Sequence, residues 1–449
     1  MSEAAWCERS GGVLLHVTSI PAGPWPDQMR RIAKRIAAAG CRVWQILPLG
    51  PSAAERNPFA AASAFAAHES LTAGLPDVDR GALARYREEN ADWLEDWALF
   101  AALKTASDGS PWWEWPAGVR RRDPAALASA RRALAPAIEQ ERAAQCRFEA
   151  AWSAFRTATK SLGLSLFGDV PLFVARDSAD VWVERELFEA EADGRLTAVA
   201  GVPPDYFSET GQLWGLPPYR WDVMAETGFA WWKRRFEIQA RRHDLLRIDH
   251  FRGLAAWWRI PPDAPTAVTG AWVPGPGRAA IAALAPALGG TRLVAEDLGV
   301  ITDDVVALRR SVGLPGMRVL QFAFDANPEN PHLPQNHGPD TVCYTGTHDN
   351  DTALGWWRSL AAEQQGVVAR ALGGAVPDMP RALVELAWSS PAPLAIVPMQ
   401  DLLGLGSEAR MNRPGVVDGN WRWSFGWDEL PDDFESTLRA ALARHGRIP

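Results

Sequence analysis

Leu-Leu-Arg-Ile-Asp-His-Phe-Arg-Gly, residues 245–253, starts as a short apolar strand and runs out into charge at Asp249 and His250, with a glycine closing the turn. The same grammar recurs on either side of it. Runs of apolar and β-branched residues stand at Gly12–Val17, Arg42–Leu49, Leu164–Val174, Arg292–Leu298, Met317–Ala323, Thr341–Thr347 and Pro393–Leu402, which with Leu245–Phe251 makes eight. Helical patterns fall between several of them: Asp27–Ala38, Phe229–Arg242 and Thr302–Val312, the last with Thr302 as N-cap. Short buried strands alternating with helices predict parallel pairing through crossover helices, and eight such units predict an α/β fold of the (β/α)8 barrel type.

The units are unevenly spaced, which predicts insertions. Residues 1–51 carry the first two strands. An Ala-, Arg- and Glu-rich stretch, 52–161, is far longer than one crossover and is expected to be an inserted helical subdomain. The third strand occupies 162–182. A Gly-, Pro- and aromatic-rich segment, 183–227, is expected to be a structured, lid-bearing loop, because long loops of this kind usually bind or cover ligands. Residues 228–449 complete the barrel, and the last 46 or so can hold a closing helix such as Asp432–Arg444 but no C-terminal β-sandwich.

Composition excludes several functions. With 46 Lys+Arg against 54 Asp+Glu, a net charge of −8, and the two signs interspersed, the chain has no basic stripe for a phosphate backbone or an anionic membrane, so neither nucleic acid nor membrane is expected as a partner. No signal-like leader or membrane-length apolar run is present, which predicts a cytoplasmic protein. Cys7, Cys41, Cys146 and Cys343 are far apart and read as buried thiols rather than zinc ligands or disulfides. There is no calcium loop or His-x-x-x-His helix, so no metal and no cofactor is expected. The 23 tryptophans suit sugar stacking and core packing alike, and packing accounts for most. Oligomeric state has no signature in these residues.

Three acidic residues sit where three strands end: Asp249, Glu296 in Leu-Val-Ala-Glu-Asp-Leu-Gly (293–299) and Asp349 in Tyr-Thr-Gly-Thr-His-Asp-Asn-Asp (344–351). Any one alone is more often a helix cap or a surface charge, the expectation for Asp297, Asp303 and Asp351. Together, on a barrel, three strand ends converge on one face. Retaining glycoside chemistry needs such a set: one carboxylate to attack the anomeric carbon and a protonated one to release the leaving oxygen, with a third free to bind sugar hydroxyls. Arg247 precedes Asp249 by two residues, so it shares a strand face with it and can keep it ionised. His348 is placed to hydrogen-bond a sugar hydroxyl, and His250 reads as a satisfied supporting residue.

At these motifs the chain resembles the amylomaltase family of 4-α-glucanotransferases (disproportionating enzymes), relatives of the α-amylase superfamily. The resemblance runs nearly end to end, through Gly-Val-Leu-Leu-His-Val-Thr-Ser-Ile-Pro (12–21), Trp-Gln-Ile-Leu-Pro-Leu-Gly-Pro (44–51), Gly-Asp-Val-Pro-Leu-Phe-Val-Ala-Arg-Asp-Ser-Ala-Asp-Val-Trp (168–182), the 202–215 segment, the carboxylate motifs, 316–324, 400–406 and Arg-Met-Asn-Arg-Pro-Gly (410–415). It implies a (β/α)8 barrel without a β-sandwich domain, with Asp249 as nucleophile, Glu296 as general acid/base and Asp349 as transition-state stabiliser. It further implies that Arg247 and His348 contact the nucleophile and the first-subsite sugar, that Tyr206 and Trp214 belong to a lid over the acceptor groove, that Asp325 lies on the facing loop, and that Asn412 and Phe59 are donor-side contacts. The chain departs from the family pattern at 52–60, where Ser-Ala-Ala-Glu-Arg-Asn-Pro-Phe-Ala replaces a Gly-Tyr-Gly-Asp-Ser-Pro-Tyr-Gln-like stretch and Phe59 keeps a ring without its hydroxyl. It also departs at Gly-Pro-Trp-Pro-Asp-Gln (23–28) and at Leu216. These changes bear on donor length and subsite affinity and leave the core chemistry intact.

Three functions are therefore weighed: transfer of α-1,4-glucan segments between maltooligosaccharides or larger α-glucans, hydrolysis of the same bond, and glucan binding without turnover. The intact carboxylates and Arg247 favour the first two, and a water-excluding Trp lid favours transfer.

Overall fold

The structure, a computed structural model, describes residues 8–52, 56–204, 208–376, 378–416 and 418–448. Twelve strands succeed one another: β1 (Ser10–Leu14), β2 (Val43–Gln45), β3 (Ser165–Val170), β4 (Val199–Val202), β5 (Gln212–Leu216), β6 (Leu245–Ile248), β7 (Ala256–Ile260), β8 (Ala271–Pro274), β9 (Arg292–Ala295), β10 (Gly316–Val319), β11 (Thr341–Tyr344) and β12 (Leu394–Pro398). Eight of them close a barrel in the order β1-β12-β11-β10-β9-β6-β3-β2, every pair parallel. Each coincides with one of the eight runs read from the sequence, and the fold is the expected (β/α)8 barrel.

Alternation along the strands divides the core in two. Leu14, Val43, Phe167, Leu245, Val294, Met317, Val319, Val342, Tyr344, Leu394 and Ile396 fill the barrel as one cluster. Their neighbours Val13, Leu15, Trp44, Leu166, Cys343, Ala395 and Val397 point outward and pack with helices. The helix Trp25–Ala38 shows why: Trp25, Met29, Ile32, Ala33 and Ile36 form its buried stripe, while Asp27 in the first turn and Arg35 in the last complement its dipole. Trp44, Trp112, Trp152, Trp182, Trp232 and Trp388 are among the largest fully buried side chains, so much of the tryptophan content is core. Cys41, Cys146 and Cys343 are buried free thiols.

Between β2 and β3 lie several helices, ending in the 27-residue Ala135–Ser161, whose Phe148 and Trp152 pack on Trp25. The segment read as a structured loop contains more regular structure than that reading gave it. It supplies β4 and β5, which join β7 and β8 in an antiparallel sheet of order β5-β4-β7-β8. Because β7 begins soon after β6, this second sheet is anchored directly to the loop that carries Asp249. The closing helix is Phe434–Arg444, two residues shorter at its start than expected. No helix among the described residues is long and apolar enough to cross a membrane.

Candidate active site

Asp249 and Glu296 are the first residues beyond β6 and β9, and their amides continue the strand ladders, to Val170 O and Ile248 O, both at 3.0 Å. Asp349 follows β11 by five residues, its amide 3.3 Å from Thr347 Oγ1. The three carboxylates thus rise from the same, C-terminal end of the barrel, where a rigid frame positions chemistry on variable loops.

Arg247 organises the floor. Its strand face is the barrel interior shared with Leu245, and its guanidinium reaches Asp249 Oδ1 at 2.8 Å through Nη2 and both oxygens of Asp169 at 2.7 and 2.9 Å through Nη1. Burial disfavours the cation, but Asp169, Asp249 and Glu296 outweigh it and hold Arg247 protonated, above its ordinary range. Asp169 has no counterpart among the residues singled out from sequence. Its signal was a lone carboxylate inside the otherwise apolar strand Ser165–Val170, at a position that alternation turns inward. One layer across, Tyr344 Oη donates to Gln45 Oε1 at 2.8 Å, satisfying two further buried polar groups.

Glu296 accepts from the backbone N–H of His250 at 2.7 Å and of Leu298 at 2.9 Å. Burial in the barrel mouth pushes its carboxyl up to about 7; Arg247 pulls it back and the neighbouring Asp249 carboxylate raises it further. Protonated and ionised forms of Glu296 are therefore both accessible near neutral pH, as an acid that must later act as a base requires. Asp349 is held from the other side: Asn412 Nδ2 donates to its Oδ1 at 2.6 Å, Arg410 Nη2 donates to its carbonyl at 2.6 Å, and His348 Nε2 lies 3.4 Å from Oδ2. Burial pushes the His348 imidazole below its usual range. Phe59 stacks on that ring at 4.7 Å and 19°, and Trp421 touches both rings at 5.8 Å.

Trp214, on β5, meets His250 edge to face with centroids 4.8 Å apart, and its Nε1 donates to Gln212 Oε1 at 3.1 Å. The structure thus brings Asp249, Glu296, Arg247, His348, Asp349, Asn412, Phe59 and Trp214 to the barrel mouth. Asp325 is exposed on the loop after β10, and its carboxylate accepts from Asn327 N–H at 3.0 Å within its own loop. Tyr206 lies outside the described residues.

Two expectations need correction. His250 is not satisfied through its ring: Nε2 is buried without a partner, and burial, with Arg252 and Arg247 nearby, pushes the imidazole down to about 3. Asp297 is neither cap nor surface charge; it is buried, accepts from Met317 N–H at 2.7 Å, and pairs with Arg318 and Arg309 at 3.2 and 3.3 Å. Its partners come from the next strand and helix, so nothing adjacent in sequence announces them. Asp303 does open the helix Asp303–Ser311.

No group of three or more His, Cys, Asp or Glu among the described residues is disposed to hold a metal ion. A family model described as 4-alpha-glucanotransferase matches residues 72–428. A 4-alpha-glucanotransferase of Thermus thermophilus is 43% identical over 98% of this chain and 99% of its own length. The chloroplastic/amyloplastic 4-alpha-glucanotransferase of Solanum tuberosum is 39% identical over 98% of this chain and 87% of its own. Among solved structures, an amylomaltase from Streptococcus agalactiae in complex with acarbose superposes with a TM-score of 0.91 at 29% identity, covering 98% of this chain and 100% of that one.

Proposed function

The chain belongs to the 4-alpha-glucanotransferase family, and we propose that it moves α-1,4-glucan segments from a donor to the 4-hydroxyl of an acceptor glucan or glucose by a retaining double displacement. Asp249 attacks the anomeric carbon while Glu296, protonated, donates to the departing glycosidic oxygen, leaving a glycosyl ester on Asp249. Glu296, now ionised, takes the proton of the acceptor 4-hydroxyl as that oxygen displaces Asp249, so configuration is retained over the two steps. Asp349, held by Asn412, binds sugar hydroxyls and strengthens its grip as the ring flattens towards the oxocarbenium-like state.

The single observation that carries this reading is the contrast between the two carboxylates at the ends of β6 and β9. Asp249 faces the Arg247 guanidinium at 2.8 Å, whereas Glu296 is held up to about 7 by burial. Environments that separate two carboxyl groups in this way assign nucleophile and acid. Maltooligosaccharides, maltodextrins and glycogen-type chains fit this chemistry as substrates, with no metal or cofactor in the route.

Incubation with maltotriose tests it. Glucose together with oligomers longer than the substrate supports transfer, and loss of both in Asp249→Asn assigns the nucleophile. Glucose and maltose alone would make the protein a hydrolase. An unchanged substrate would leave a glucan-binding protein.

A further inference from the structure

His250 has a backbone that folding alone does not call for. Its φ is 48°, in the left-handed region that L residues avoid, immediately after Asp249. Two contacts leave it in different directions. Its N–H donates to Glu296 Oε2 at 2.7 Å. Its ring meets Trp214 at 90° with centroids 4.8 Å apart, and Phe173 backs both rings at 6.3 and 6.5 Å. The buried, unpartnered Nε2 shows that the ring is retained for packing rather than for a hydrogen bond at that atom.

We propose that His250 is a positioning residue that couples Trp214 to Glu296, so that the seating of β5 against the barrel mouth sets the hydration and the hydrogen bonding of the acid. The inference rests on the assignment of Glu296 as acid/base. When Trp214 is seated, the aromatic group of Trp214, His250 and Phe173 walls off the amide that binds Glu296. When it is not, water reaches that amide and the carboxyl beside it. The charged groups facing Glu296 are Arg247 and Asp249, and those acting on His250 are Arg252 and Arg247. None of these is altered by changing Trp214 or the His250 ring, so a displaced ionisation of Glu296 in such variants reports hydration and amide geometry.

The test is the pH dependence of kcat/KM on maltotriose for Trp214→Ala, His250→Asn, their combination and His250→Phe. Asn tolerates the left-handed backbone and keeps the amide but removes the ring. Phe keeps a ring, and Phe229 and Trp421 show that this fold holds aromatic residues at φ 59° and 61°. The expected result is an alkaline limb lowered by about half a pH unit or more in Trp214→Ala and in His250→Asn, because admitted water relieves the burial that holds Glu296 up. The double variant should go no lower than the larger single effect, and His250→Phe should keep the wild-type limb. Limbs that stay in place while Tm and kcat fall, additive shifts in the double variant, or a His250→Phe that moves as far as His250→Asn would overturn the coupling. Glu296→Gln assayed on α-glucosyl fluoride separates the two readings: recovery on the fluoride with immobile limbs overturns the coupling alone, and equal losses on fluoride and maltotriose overturn the acid assignment and the coupling with it.

Discussion

Asp169 and Arg247 face each other in register across β3 and β6 and share two contacts of 2.7 and 2.9 Å inside the barrel. A buried ion pair of this kind contributes little net stability, because desolvation offsets its attraction, but breaking it strands a charge. Its effect here is geometric. With Nη1 committed to Asp169, Nη2 remains for Asp249 at 2.8 Å, so the pair sets where the proposed nucleophile meets its cation.

Asp169→Asn is therefore expected to lower stability by about 3 kcal/mol, the lower part of the range for removing one partner of a buried pair, and to reduce the transfer rate as well. Urea denaturation read together with initial rates checks it. An unchanged denaturation midpoint would mean that Asp249 and Glu296 alone hold Arg247.

Glu296 makes a prediction about stability with a definite sign. Its carboxyl stands at about 7 in the folded protein against a model value of 4.5, so the native state binds more protons than the unfolded chain between those two pH values. Its contribution is fully present below about 4.5 and is lost as pH rises through about 7. At pH 8 the ionised, buried carboxylate costs about 2–3 kcal/mol, allowing for its partial exposure. Glu296→Gln should accordingly be more stable than the wild type at pH 8 and lose that advantage towards pH 5, while activity on maltotriose collapses. A stability difference that does not change between these two pH values would contradict the burial-driven shift.

Asn412 orients Asp349 through a 2.6 Å hydrogen bond. Asn412→Ala should lower kcat by about tenfold through loss of that orientation. Asn412→Asp should be worse at pH 7, since two carboxylates at this distance do not both ionise, and should recover part of its rate near pH 5, where one proton can be shared. Rate profiles of the two variants across this range check it, and parallel profiles would show that Asn412 does not act through Asp349.

The barrel was legible because each of its strands is a short buried run bounded by turn residues, and Arg247 was legible because period-2 alternation alone puts it on the face of Asp249's strand that points inward. The second sheet was not legible. Its strands β4 and β8 are four residues long, β8 is mostly exposed, and β4 pairs with β7 through Val199↔Ile260, contacts between segments that share no local signal. Asp169 and Asp297 escaped for a related reason. Each reads as an ordinary acid until a cation from another element, Arg247 or Arg309 and Arg318, arrives beside it.

Trp214 carries the most exposed expectation. Gly211 and Gly215 flank its strand, both at φ 68°, and a Cβ at Gly211 would sit 2.4 Å from Val202 O, so the backbone geometry that presents this indole depends on glycine. The ring packs on His250 and Phe173 beside Asp249, where it can exclude water from the glycosyl ester and stack on an incoming sugar. Trp214→Ala should then raise the ratio of hydrolysis to transfer on maltotriose and weaken acceptor use, with a smaller effect on donor cleavage. If the indole only pins β5 to the barrel, Tm should fall and both reactions should decline in proportion. Measuring both products and Tm on one preparation separates the cases, and a ratio equal to that of the wild type would end the acceptor-lid role for Trp214.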